Sequence, residues 1–322
     1  MLISFVLVVP NANEEFRNTV ESVLKQNNKS NYELIVVLDR SIDDLEANDY
    51  FYSLFKKNKN VKLVFNNDRH GSSYSWNVGI DICSGDYIKF ISQGDTLESD
   101  FLDRVLGAIN SHKDISLDII EYNFSFKGDQ IIASKSYLEP NKVYNLKEDY
   151  EPLALTNNLL FNKLFKTDVI KKYNVRFRNQ VRFDMLFFYI IYSQSKNYIY
   201  LNSKSFENII LRQVQYSNFD IVNQWTHIFN YYRRIKKYND LHDQLKYSYY
   251  KTILHIWIWT IAKTDNKVLI RKALEFVNRK YEPKKDLFVK NNIVFKETKD
   301  LTFKELAENF SEYYRDYLKT NK

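Results

Sequence analysis

The sequence predicts an α/β protein with a mixed, mainly parallel sheet flanked by helices, followed by a mainly helical C-terminal region. Three observations carry that expectation. Up to about residue 125 short apolar runs alternate with helical patterns, as in successive β-α-β units. Several of those runs are apolar at consecutive positions, which suits strands covered on both faces. From Asn218 onward the pattern is mainly helical, and aromatic residues are dense.

Leu2 to Val9 is the first strand. The opening MLISFVLVVP lacks a basic leader and runs into PNANEE without a small-residue cleavage site, so it is read as a strand and not as a signal sequence. In Glu14 to Lys25, Phe16, Val20, Val23 and Leu24 recur at helical spacing behind an acidic first turn. Glu33 to Leu38 and Val61 to Phe65 are the second and third strands. Ser72 to Cys83 precedes a turn at Gly85 and Asp86, and Tyr87 to Ile91 is the fourth strand. Ser99 to His112 reads as an amphipathic helix, and Asp118 to Phe126 as a further strand with a turn at Lys127 to Gln130. Ile221 to Tyr238, Leu241 to Lys263, Lys267 to Tyr281 and Thr302 to Lys319 are the later helices, interrupted at Pro283. A division at 1–215 and 216–322 follows.

A chain of 322 residues can bury a core of this size. No apolar stretch reaches the roughly eighteen residues of a membrane span, so a soluble protein is expected. Cys83 is the single cysteine, which excludes an internal disulfide and a Cys-based zinc site and suits a reducing, cytoplasmic setting. The net charge of +7 is compatible with phosphorylated or acidic partners. The basic residues are spread along the chain, however, and no recognition helix or RNP-like aromatic motif occurs, so no nucleic-acid partner is expected. Neither G-x-G-x-x-G nor G-x-x-x-x-G-K is present, which removes the main support for dinucleotide and P-loop chemistry.

In an open parallel sheet ligands bind beyond the carboxyl ends of the strands. Polar loops stand there: Pro10-Asn11-Ala12-Asn13-Glu14-Glu15 after the first strand, Asp39-Arg40-Ser41-Ile42-Asp43-Asp44 after the second, Ser92-Gln93-Gly94-Asp95 after the fourth. Each alone is explained by turn and capping chemistry. Taken in order they are more specific. The first resembles the P-x-Y-N-E-E of family-two, GT-A-fold glycosyltransferases, and Val37 to Asp43 resembles their V-D-D-G-S-T-D. Trp76-Asn77-Val78-Gly79-Ile80 through Gly85-Asp86-Tyr87-Ile88-Lys89-Phe90 resembles R-N-x-G-I-x-x-A-x-G-E-Y-I-x-F. Phe161 to Lys166 resembles W-N-K-L-Y-K, and Arg182 to Phe187 resembles F-E-D-E-L-F. The resemblance covers residues 1 to about 215.

The resemblance implies transfer of a sugar from a nucleoside-diphosphate sugar, with UDP favoured, to a glycan or lipid-linked acceptor hydroxyl in surface polysaccharide or glycolipid synthesis, with inversion. Asp184 matches the catalytic base, although an exposed helix carboxylate explains it equally. Pro10, Asn11, Asn13, Glu14, Asp39, Ser41, Asn77 and Asp95 match the nucleotide-sugar site, and Asp39 would accept an N–H of the base. The family's metal motif D-S-D-D falls on Ser92-Gln93-Gly94-Asp95, which retains only Asp95 for Mg²⁺ or Mn²⁺. Arg69 and His70 would then offset diphosphate charge. A catalytically inactive GT-A-like subunit, acting as a binding or assembly partner, is the alternative reading.

Leu241 to Lys263 is nearly apolar all round in its second half, the sign of a buried helix. The competing reading is an interfacial surface. Its rings, with Arg233, Arg234, Lys236 and Lys237, would meet membrane headgroups and make the protein peripheral at the inner face. A homo-oligomer contact is a further reading of the same surface. His227, His242 and His255 form no metal-ligand pattern and are read as structural.

Overall fold

The computed structural model describes residues 1–10, 13–39, 45–127, 136–178, 185–210, 220–262 and 266–320. The order is β1 (Ile3–Val9), α1 (Glu14–Leu24), β2 (Tyr32–Leu38), α2 (Leu45–Lys57), β3 (Val61–Phe65), α3 (Ser72–Ile82), β4 (Tyr87–Ile91), β5 (Thr96–Leu97), α4 (Phe101–Ser111), β6 (Ile119–Tyr122), β7 (Ser125–Lys127) and β8 (Val143–Asn145). It continues with α5 (Glu151–Leu155), β9 (Lys163–Lys166), α6 (Thr167–Lys172), α7 (Met185–Gln194), β10 (Asn197–Leu201), β11 (Glu207–Ile210), α8 (Asp220–Arg234), α9 (His242–Lys251), α10 (Ile258–Ala262), α11 (Lys267–Tyr281), α12 (Lys285–Asn291), α13 (Ile293–Glu297) and α14 (Leu301–Thr320).

The larger sheet has the order β3-β2-β1-β4-β9-β6-β10-β8. Strands β1 to β4 are mutually parallel, β9 runs antiparallel between β4 and β6, and β8 pairs antiparallel with β10. The expected mixed, mainly parallel α/β fold is therefore observed, with its first four strands within one residue of their expected bounds. Every residue of β1, β2 and β4 is buried, as continuous apolar runs require of strands covered on both faces. Each of their large aliphatic and aromatic side chains contributes about 1.5–3 kcal/mol by burial.

One expected strand is two. The run at Asp118 to Phe126 breaks after Tyr122, where the Asn123 N–H donates to the Leu201 carbonyl and the Asn123 side chain to the Ser203 carbonyl. The chain thereby leaves the large sheet, and β7 pairs with β11 in a three-stranded sheet ordered β5-β11-β7. Of the expected turn, 128–130 lie outside the described residues and Lys127 belongs to β7.

Two compact units divide the chain: 1–135 with 139–147 and 157–211, and 136–138 with 148–156 and 212–322. The second thus includes two segments that precede residue 215. Its core gathers Tyr247, Tyr250, Ile253, Leu254, Trp257 and Ile261 with Leu274, Tyr281, Phe303 and Phe310. These rings of the expected helix Leu241 to Lys263 are buried, while its Tyr249 and Trp259 are half-buried. That helix is also not continuous α: a π segment, Thr252–Trp257, separates α9 from α10. Among the described residues no helix is long and apolar enough to cross a membrane.

Candidate active site at the sheet's switch point

Because β1, β2 and β4 are parallel neighbours, Val9, Leu38 and Ile91 end at one rim. Helix α1 leads from β1 to β2 on one side, and α3 leads from β3 back past β1 to β4 on the other. The strand order reverses between β1 and β4, which opens the crevice where open α/β sheets bind ligands. The Asp39 N–H donates to the Val9 carbonyl at 3.1 Å, tying the second loop to the end of β1. The Gln93 amide donates to Asn13 Oδ1 at 2.5 Å, tying the fourth loop to the first.

Asn13 is also the N-cap of α1, its Oδ1 accepting the Phe16 N–H at 3.1 Å, and Glu14 opens that helix in an exposed first turn. Pro10 follows β1 directly and is half-buried. Asn11 and Ser41 lie outside the described residues, as does Asp184. Their places in the site therefore rest on the motif matches alone.

Asp39 is 5% exposed and works locally. Its Oδ1 accepts from the Asn66 amide at 3.1 Å and the His70 N–H at 2.8 Å, and its Oδ2 accepts the Gly71 N–H at 2.8 Å. The carboxylate thus sits at the N-terminal end of α3, where helix dipole and N–H groups favour negative charge. Gly71 has φ +88° and no atom within 4 Å of where a Cβ would stand, so backbone conformation, not space, selects glycine there. The Asn66 amide also donates to Ser75 Oγ at 3.0 Å, extending the grip into α3. His70 is exposed at the rim, its ring 4.5 Å from that of Tyr74 and its Nε2 2.9 Å from Asn67 Oδ1.

Asn77 faces the chain and not the crevice. It donates to the Phe177 carbonyl and accepts the Phe177 N–H, both at 2.9 Å, a complete amide-to-backbone pairing. Phe177 stacks on Phe187 at 3.9 Å with planes 8° apart, and both rings meet Phe90, while Trp76 packs on Phe177 at 4.9 Å. Where the motif has arginine, this chain places a tryptophan in that aromatic cluster. The glycines of the same motif are contact points. A Cβ on Gly79 would lie 2.3 Å from Val6 Cγ1, and one on Gly85 would lie 2.7 Å from the Ser4 nitrogen.

Asp95 is 1% exposed, beneath a turn in which Gly94 has φ +97° and donates its N–H to Thr19 Oγ1 at 2.8 Å. Its charge acts on Lys89 and Tyr122. Lys89, fully buried in β4, donates to the Phe161 carbonyl at 2.6 Å and pairs with Glu207 at 3.1 Å; Tyr122 donates to the other Glu207 oxygen at 2.6 Å. Burial lowers the Lys89 pKa, opposed by Glu207 and Asp95. A second buried pair, Lys163 with Glu121 at 3.6 Å, joins β9 to β6, and burial takes the Lys163 pKa down to about 8. Sequence reading left these pairs out, yet a signal existed: Lys89, Glu121 and Lys163 are charges inside apolar runs, which need partners when buried.

A divalent cation of the kind this fold family uses finds a poor match here. Ser92 and Gly94 carry no carboxylate, Asp95 is buried beneath its turn, and among the described residues no group of three His, Cys, Asp or Glu side chains could hold a metal.

The profile of the family described as Glycosyl transferase family 2 matches residues 4–174. The poly(ribitol-phosphate) beta-N-acetylglucosaminyltransferase TarP of Staphylococcus aureus is 28% identical over 202 residues, which are 61% of this chain and 59% of that protein. The amylovoran biosynthesis glycosyltransferase AmsB of Erwinia amylovora is 30% identical over 33% of this chain and 36% of its own. The chain thus spans less than two thirds of either relative. Among solved structures, S. aureus TarS 1–349 in complex with UDP-GlcNAc superposes with a TM-score of 0.64 at 15% identity, over 97% of this chain and 92% of that one. A mannosyltransferase of Pyrobaculum calidifontis, in complex with GDP-Man and Mn²⁺, gives 0.53 at 11% identity, over 99% and 86%. These likenesses show the GT-A fold.

Proposed function

The chain belongs to glycosyl transferase family 2, and from that premise we propose that it moves a sugar from a UDP-sugar to a hydroxyl of a glycan or lipid-linked acceptor, with inversion, in surface polysaccharide or glycolipid synthesis. The observation that carries the reading is the meeting of the β1, β2 and β4 loops at the switch point, joined by Asp39 to Val9 and by Gln93 to Asn13. Its relatives' names, a beta-N-acetylglucosaminyltransferase and an amylovoran biosynthesis enzyme, support the donor and acceptor classes.

In this reading the acceptor oxygen attacks the anomeric carbon, the bond to the diphosphate breaks, and the Asp184 carboxylate takes the hydroxyl proton. Pro10, Asn11, Asn13, Glu14, Asp39 and Ser41 line the nucleotide end. Asp39 shapes the turn that presents His70 and the start of α3 through three accepted hydrogen bonds, and its Oδ2, which accepts one of them, keeps a lone pair for an N–H of the base. Asn77 acts by anchoring Phe177. Asp95 acts from beneath its turn, as a further negative charge felt by Lys89 beside its partner Glu207. Charge on the departing diphosphate falls to Arg69, His70 and the N-terminal end of α3, with no step assigned to a metal.

A catalytically inactive GT-A-like subunit, acting as a binding or assembly partner, is the second reading, favoured by Ser92 and Gly94 at the metal motif. One experiment separates them. UDP and UDP-sugars should raise the melting temperature, GDP-mannose less so, and EDTA should change neither this shift nor donor turnover. Asp184→Asn should keep the shift and lose about 10²–10⁴-fold in turnover. Turnover indifferent to that substitution favours the inactive subunit, and a flat response to every nucleotide removes the donor site itself.

A further inference from the structure

In the helical unit, two cations stand on one aromatic wall. The Lys246 ammonium lies 4.8 Å from the centre of the Phe229 ring and 5.8 Å from that of Tyr249, and the Arg233 guanidinium lies 4.6 Å over Tyr238. Phe229 meets Tyr238 edge-on at 5.8 Å and Tyr249 at 5.3 Å, so the three rings form one continuous surface between α8 and α9. Lys284, in the turn after α11, is near enough for its charge to act on Lys246.

Among the described residues none of these three cations forms an ion pair. Their neighbours' carboxylates are engaged elsewhere. Asp240 pairs with Lys237, Asp243 accepts from the Ile293 N–H and contacts His242, and Glu282 accepts from the Ser311 hydroxyl. Other cations of the unit do have acid partners, such as Lys251 with Asp300 at 2.9 Å and Arg271 with Glu275 at 3.0 Å. Burial, and then the charges of Lys284 and Arg233, push the Lys246 pKa down to about 8. Ring faces ease a cation's desolvation without neutralising it, so the cluster retains positive charge, with Lys246 half-buried and Arg233 and Lys284 exposed.

We propose that Lys246, Arg233 and Lys284 form a subsite for the phosphoryl group of a phosphodiester chain. The Arg233 guanidinium, whose Nη1 donates to Asn230 Oδ1 at 2.9 Å and whose other N–H groups remain to donate, stands beside two ammonium point charges, a donor set that compact tetrahedral oxyanions take. The rings beneath are half-buried under the cations and are not presented for insertion into a bilayer, which favours a dissolved chain over a lipid surface. This inference goes beyond the transfer reading and does not depend on it.

The test uses the full chain with inorganic phosphate, a synthetic glycerol-phosphate oligomer and phosphatidylglycerol vesicles. The oligomer should bind in a salt-sensitive way and raise the melting temperature, and phosphate should bind more weakly at the same site. Lys246→Met, which keeps the apolar stem on the rings, and Arg233→Gln should each weaken oligomer binding about tenfold or more, while Lys290→Gln, outside the cluster, should not. Without ligand, Lys246→Met should melt at or above the wild-type temperature, because a repelled charge is removed; a Lys246 that merely covers Phe229 would melt lower when replaced. Oligomer binding unchanged in Lys246→Met overturns the proposal. So does phosphate binding confined to adventitious concentrations with no effect of the variants, or cluster-dependent binding to vesicles alone.

Discussion

Adding one carbon at Gly79 would place it 2.3 Å from Val6 Cγ1, on the face where α3 crosses β1. Neither partner has room to yield, since Val6 is fully buried and β-branched. Gly79→Ala is therefore expected to lower stability by about 1–3 kcal/mol, read from the midpoint of urea unfolding. Gly107 is the control. It also lies within a helix, but nothing stands within 4 Å of its added Cβ, so Gly107→Ala should raise stability by about 0.5–1 kcal/mol. Equal effects at the two positions would mean that helix propensity, and not close packing, explains the motif glycine. At this scale Asp39 gains a second duty as well: the carboxylate expected to recognise the base also holds the turn that starts α3.

At the scale of elements, β2, β3 and the end of α3 are pinned by a charge. Glu33 accepts from Ser4 Oγ at 2.5 Å and the Ser84 N–H at 2.6 Å, and pairs with Lys62 at 2.6 Å. Burial raises its pKa, but Lys62, Ser4 and Ser84 together hold it below the usual carboxylate range. A depressed folded value means that the unfolded chain binds the proton first. The contribution is thus complete above the unfolded carboxylate's value, about 4.3, and is lost as pH falls through the lower folded one. Lys62→Met should accordingly cost more stability at about pH 6 than at about pH 3; an equal loss at both would refute the pairing. The four parallel strands were legible because continuous apolar runs have few other uses. Strands β9, β10 and β11 were not, because they are short and their pairing is non-local: Lys163 meets Glu121, and Glu207 meets Lys89, only once the sheets exist. The expected strand at Asp118 to Phe126 failed for the same reason, as no local signal marks the residue at which a chain changes sheets. Of the site, the loops at the rim could be read from capping and turn chemistry, whereas Asn66, Ser75 and Lys89 became visible through contacts distant in sequence.

For the whole molecule, a linear boundary near residue 215 has a consequence that the two compact units make testable. Helix α5 precedes that boundary, yet Ala154 belongs to the helical unit's core and Leu155 packs against it, alongside α9. A fragment ending at 215 keeps α5 and loses α9, so apolar surface that the full chain covers is bared. The fragment is expected to bind a hydrophobic dye and to elute in part as aggregates, whereas the full chain elutes as a defined species. Leu155→Ser should improve the fragment's behaviour, because there the leucine faces water. In the full chain the same substitution should cost about 1 kcal/mol, because there it removes half-buried methyl groups that pack on the helical unit's core. This opposition of sign distinguishes loss of a specific partner from general fragility. A fragment that elutes as one species, binds no dye and is unaffected by Leu155→Ser would show that α5 needs no cover from the helical unit.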